Sequence, residues 1–188
     1  MAFTKMGLVG LCLLFLSFNG CTSNEPKLGT RSLRENATQP WQEVVNYANE
    51  HLPQEGILKI KKDGFVYLKV DDNYIHALFP LLNLKDQGYK EPPYFRSPDA
   101  PGAHVSVFYE NENVRPEEIG QVFKFELKDI IEVRAGRDAS YAIFQIDAPE
   151  LEALREKYGL ASKLQGHEFH ISIAKRKIPK DDRRRNKR

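Results

Sequence analysis

Two short stretches of this chain carry the same alternation, and that alternation constrains the fold more than any other feature. Residues 102–107 read GAHVSV, and residues 166–173 read GHEFHISI. In a strand, residues two apart share a face. His104 and Ser106 therefore point one way while Val105 and Val107 point the other. His170 and Ser172 share a face likewise, with Phe169, Ile171 and Ile173 opposite. Each strand needs an apolar core on one side and presents an imidazole followed by a hydroxyl on the other. The two histidines stand 66 residues apart, room for a strand pair and a helix, so each stretch fits one half of a duplicated fold.

The segments around them alternate between helical and strand periods. Apolar residues at 41, 44, 45 and 48 make a helical stripe over 41–52. Runs at 58–60 and 65–70 are split by K-K-D-G, a hairpin turn signal. Asp71 and Asp72 are placed to cap a helix over 73–82. Residues 83–102 then form a loop of about twenty residues, a length usually reserved for function or mobility. A strand is expected at 104–109, one or two over 123–134, and another at 141–146. Leu151, Leu154 and Tyr158 align on a helix over 148–158 that Gly159 ends, and the last strand spans 169–174. This order makes the domain α+β, with an antiparallel or mixed sheet rather than a parallel doubly wound one.

The ends have a different composition. Lys5 precedes an apolar run over residues 6–18, too short for the roughly 20 residues of a membrane-crossing helix. A charged start and a short apolar middle form the signal-peptide pattern, here over residues 1–20; an uncleaved anchor is the alternative. The only cysteines are Cys12, within that run, and Cys21, just after it. F-N-G-C resembles a bacterial lipoprotein signal, with Cys21 as the lipidated residue, although Phe18 and Asn19 depart from its usual small or aliphatic residues. The domain itself then holds no cysteine for a disulfide or a thiolate metal site. Residues 21–40 read as a flexible tether, residues 41–178 as the domain, and residues 179–188 as a basic disordered tail. From residue 175 onward nine Lys or Arg face two Asp. Such a tail attracts nucleic acid or anionic headgroups, or is simply solvated.

No Gly-rich phosphate loop, H-E-x-x-H, G-x-S-x-G or cysteine cluster occurs, which removes the commonest nucleotide-binding and metallohydrolase readings. If the two motif strands lie side by side, two imidazoles and two hydroxyls face one pocket. Imidazole titrates near neutrality, so one ring can take a proton from water while the other gives one to a leaving oxygen. The hydroxyls can donate to phosphate oxygens where charge develops.

Two copies of His-x-[Thr/Ser]-x with apolar x, each in a strand, resemble the two-histidine (2H) phosphoesterase superfamily. That superfamily includes bacterial RNA 2′,3′-cyclic phosphodiesterases, 2′,5′-ligase-like proteins and a Swiss Army Knife branch. The resemblance implies a bilobal, duplicated fold with sheets lining a central groove and helices flanking it. It implies His104 and His170 as the catalytic pair and Ser106 and Ser172 as phosphate-binding hydroxyls, Ser replacing the commoner Thr. The expected activity is phosphodiester hydrolysis at 2′,3′-cyclic phosphate ends of a nucleotide or short RNA, without metal or cofactor. The alternative is a nucleotide- or RNA-end-binding lipoprotein that does not cleave. With Cys21 lipidated, the chain would be a monomer anchored at the cell envelope. His167, three before His170, reads as a turn residue, and His51 and His76 as structural or solvated. Tyr94, Phe95 and Arg96 lie on the long loop, where they can stack on a base and bind phosphate or simply form a packed lid. Tyr141 and Lys175 stand near the groove by position.

Overall fold

The computed structural model describes residues 41–178. Its strands are β1 (Glu55–Ile60), β2 (Val66–Lys69), β3 (His104–Phe108), β4 (Val122–Lys124), β5 (Glu126–Ala135), β6 (Ala139–Asp147) and β7 (His170–Lys177). The helices are α1 (Gln42–His51), α2 (Asn73–His76), α3 (Leu78–Leu81) and α4 (Pro149–Lys157). The expected signal segment 1–20, the tether 21–40 with Cys21, and the tail 179–188 lie outside the described residues.

Every strand pairing is antiparallel, and the strands form one sheet in the order β4-β1-β2-β3-β7-β6-β5. The segment 123–134 is two strands rather than one, and they occupy the opposite edges of that sheet. Only Phe125 separates them. Laid flat, seven strands about 4.8 Å apart would hold their edges roughly 29 Å from each other, whereas two peptide units span under about 8 Å. The sheet must therefore curl until Phe125 bridges its edges. Phe125 is buried there and its amide donates to the Gln54 carbonyl at 3.1 Å.

The curl divides the sheet into two halves that meet where β3 runs beside β7, paired at Val105 with Ile171. Helices cover the halves crosswise. α1, which leads into β1, packs on β5, and α4, which follows β6, packs on β3 and β4. One core joins them: Leu58, Leu68, Val105, Phe144 and Ile171 are fully buried within it, beside Tyr74 and Leu151 from the helices. The α+β, two-lobed arrangement is thus realised with an antiparallel sheet throughout.

Local chemistry accounts for the element ends. At the β1–β2 turn the Asp63 carboxylate accepts the Phe65 amide at 3.1 Å, and Gly64 takes φ +96°, a conformation open to glycine. α4 begins with Pro149 and two acidic residues and ends with Arg155 and Lys157, matching its dipole. Gly159, at φ +75°, closes it, and the Leu160 amide reaches back to the Arg155 carbonyl at 3.2 Å. The single helix expected over 73–82 is instead the pair α2 and α3, separated at Ala77. Pro80 explains the break, because it has no N–H to offer the His76 carbonyl.

One irregularity positions the site. Along β7, Ser172 pairs with Ile143 but Ala174 pairs with Ala142, so Ile173 is an extra residue. This bulge buries Ile173 and Ala174 in succession. It also shifts the alternation by one, so that Lys175, not Ala174, stands beside Tyr141.

Candidate active site

The pairing of Val105 with Ile171 settles how the two motifs meet. One step either side sets His104 against Ser172 and Ser106 against His170. Val105 and Ile171 are both fully buried on the core face, so the imidazoles and hydroxyls share the other face. The two histidines lie on a diagonal of the pair, a spacing of about 7–8 Å in ordinary sheet geometry. All four side chains line one groove of about 700 Å³.

Both rings are held in the same way. His104 Nδ1 lies 2.8 Å from the Gly102 carbonyl, and His170 Nδ1 lies 2.9 Å from the Glu168 carbonyl. A carbonyl only accepts, so Nδ1 carries the proton in each ring. Each Nε2 is then the atom free to exchange a proton with a substrate. The carbonyl two residues before each histidine does this, so Gly102 serves the first copy, whereas in the second Glu168 does, not Gly166.

The surroundings of the rings differ. His104 meets the edges or faces of three aromatic rings: Phe65 at 5.8 Å, Tyr67 at 5.7 Å and Tyr94 at 4.7 Å between centroids. Burial among them lowers its pKa; the Gly102 carbonyl opposes that, and the charges of Lys69, His170 and Lys61 add to the lowering. His104 is accordingly a neutral imidazole over more of the pH range than an exposed one. His170 stands opposite Gln145 of β6 on the open side of the groove.

Asp72 braces the His104 side. The expected cap role falls to Asp71, whose carboxylate accepts the Asn73 amide at 2.8 Å. The Asp72 carboxylate instead accepts the Ala103 amide at 2.8 Å and pairs with the Lys69 ammonium. These contacts fix the peptide that presents the Gly102 carbonyl to His104. Gly102 has φ +67°, and a Cβ there would collide with both the Asp72 carboxylate and the Lys69 ammonium. Gly102→Ala is expected to lower stability by about 1–3 kcal/mol and to loosen the His104 hydrogen bond. Denaturant midpoints and the imidazole Nδ1 proton resonance check the two effects. An unchanged resonance would disconnect this brace from the ring.

Among the loop residues, Tyr94 reaches the site and its neighbours do not. Its ring rests on His104, and its hydroxyl lies on the Ser172 side of the groove. Phe95 instead packs at a tilt against His76, 4.4 Å between centroids, outside the groove. His51 packs on Tyr47. His167, expected to be a turn residue, lines the groove wall beside Gln165, whose φ of +52° is unusual for a residue other than glycine. Gln145, Asp72 and Lys69 carry no motif signal of their own. Only the alternation of β6 and the register of β3 with β2 would have pointed to them. Among the described residues no three His, Cys, Asp or Glu side chains converge to hold a metal ion.

Comparison with known families matches residues 66–178 to the model of the Swiss Army Knife, 2H phosphoesterase domain. No curated protein and no solved structure shows a significant match.

Proposed function

Since the chain belongs to the Swiss Army Knife, 2H phosphoesterase family and is in that broad sense a phosphoesterase, we propose that it hydrolyses 2′,3′-cyclic phosphate ends of nucleotides or short RNA. The observation that supports this reading is the pair of imidazoles on adjoining strands. Each is tied at Nδ1 to a backbone carbonyl and each is free at Nε2 toward one groove.

In this proposal neutral His104 accepts a proton from water at Nε2 as the water oxygen bonds to phosphorus. His170, entering the step as the imidazolium with protons on both nitrogens, gives its Nε2 proton to the ribose oxygen as the phosphorus–oxygen bond of the ring breaks. One water is consumed, a phosphomonoester and a free hydroxyl form, and the two rings return to their starting states by exchange with solvent. Ser106 and Ser172 donate to the non-bridging oxygens, where negative charge grows. The Tyr94 hydroxyl, on the Ser172 side, is within reach of the same oxygens.

The purified chain is expected to open a nucleoside 2′,3′-cyclic phosphate in the presence of chelator. Tight binding without product after long incubation would favour the non-cleaving alternative. The pH dependence follows from the direction of the His104 shift. The base must be neutral, and its pKa is lowered, so the ascending limb of the bell-shaped kcat/KM profile expected of an acid–base pair should be centred below the ordinary imidazole value of 6.5. A rise centred at or above that value would remove His104 from the role of base.

Envelope anchorage through Cys21 is part of the same proposal. Cys21→Ala should move the chain from the membrane to the soluble fraction, and unchanged recovery with membranes rejects it.

A further inference from the structure

The groove is much larger than a phosphate requires: it reaches Tyr109, Gln165 and His167 at one end and runs over β6 at the other. On the β2 side of His104 the space is filled by stacked rings. Phe65 lies on Tyr67 at 5.5 Å and 13° between planes, and on Tyr109 at 6.2 Å and 19°. Neither Phe65 nor Tyr67 lines the groove, whereas the groove continues past His170 and Ser172 over β6 to the β5–β6 hairpin. The surface over β6 is therefore available to whatever is attached to the phosphate.

The surface over β6 has a definite chemistry. Its groove-facing positions alternate along the strand: Gln145 opposite His170, Ile143 opposite Ser172, and Tyr141 opposite Lys175. Ile143 supplies an apolar floor. Tyr141 supplies a ring steadied by the Lys175 ammonium, 5.1 Å from its centroid. The Gln145 amide makes no side-chain hydrogen bond among the described residues and keeps both donor and acceptor. A flat aromatic ring flanked by an apolar side chain and an amide with both hydrogen-bonding functions suits a planar heterocycle with a donor–acceptor edge. A bare sugar phosphate or an alkyl ester would leave the ring uncovered and the amide unmatched.

We propose that the β6 face, through Tyr141, Ile143 and Gln145, is a nucleobase subsite, so that the enzyme selects nucleosides rather than cyclic phosphates in general. The proposal rests on the phosphodiesterase reading above but is separable from it. The test compares adenosine 2′,3′-cyclic phosphate with methyl riboside 2′,3′-cyclic phosphate, which has the same reacting ring and no base. Stacking on an aromatic side chain predicts a preference of about tenfold or more in kcat/KM for the base-bearing ester. Tyr141→Ala should bring that ratio toward one, and Tyr141→Phe should restore it. Equal rates on the two esters in the unaltered chain, or a ratio unmoved by Tyr141→Ala, would overturn the subsite. If neither ester is hydrolysed, the cyclic phosphodiesterase reading fails. The subsite is then read by calorimetry with adenosine 2′-monophosphate against ribose 2-phosphate: tighter binding of the nucleotide that Tyr141→Ala abolishes supports it, and equal binding overturns it.

Discussion

Replacing His104 or His170 by Ala is expected to lower kcat by about 10²–10⁴-fold, the usual worth of a positioned acid or base. The chain should keep its fold, because both imidazoles face the groove rather than the core. Among the described residues, the one protein hydrogen bond each ring gives up is that to a carbonyl two residues earlier. The double variant should be little slower than either single one, since an acid and a base that act in one step form a unit. Ser106→Ala and Ser172→Ala should each cost about 10²–10³-fold, as for loss of one donor to a developing oxyanion, and their losses should fall mainly on kcat. Steady-state kinetics with a nucleoside 2′,3′-cyclic phosphate, alongside circular dichroism, check both sets. Turnover that survives the His104→Ala, His170→Ala double change would place the chemistry elsewhere.

Arg155→Ala is expected to destabilise the fold by about 3–5 kcal/mol, the cost of removing one partner of a buried charge pair. That is a large share of the stability of an ordinary domain. Arg155 is 2% exposed and every face of its guanidinium is used. Nη1 donates to the Val107 carbonyl at 2.6 Å and Nε to the Ala161 carbonyl at 2.8 Å. The fork meets both oxygens of Glu112 at 2.8 and 3.2 Å. The guanidinium also lies over the Phe108 ring at 5.3 Å. Lys cannot replace this fork, so Arg155→Lys should recover little, whereas replacing Arg155 and Glu112 together by apolar residues should recover more than either alone.

The pair also links stability to pH. Burial by itself raises the Glu112 pKa, but the hydrogen bonds from Arg155 and from the Tyr109 amide outweigh it, and the net shift is downward. A lowered folded-state pKa means that the stabilisation is present above the unfolded carboxyl value and is lost as pH falls through the folded one. Glu112→Gln should flatten that acid-side loss in denaturant melts taken at a series of pH values.

Arg155 also marks a limit of reading the chain by pattern. Leu151, Leu154 and Tyr158 announce a buried stripe, and Arg155 stands four after Leu151, on the same stripe. Its charge argues for solvent until Glu112, 43 residues earlier, is known to meet it. The motif strands were legible because their period is two and one face of each is wholly apolar. The split at Phe125 was not, because a strand that changes partners keeps its alternation while it crosses from one sheet edge to the other. Asp72 shows a third kind of limit. A cap position and a brace look the same in sequence, and the register of β2 with β3 decided between them.

Two antiparallel strands are related by a local two-fold axis, and here it passes beside Val105 and Ile171. Turning the site about that axis exchanges one His-Ser pair for the other, so the motifs alone assign neither proton acceptor nor proton donor. The assignment comes from what fails to obey the axis: three aromatic rings and Lys69 around His104, and Gln145 and open groove around His170. On the proposed mechanism the direction of proton flow is a property of the neighbours, and substitutions there should be able to reverse it while both motifs stay intact.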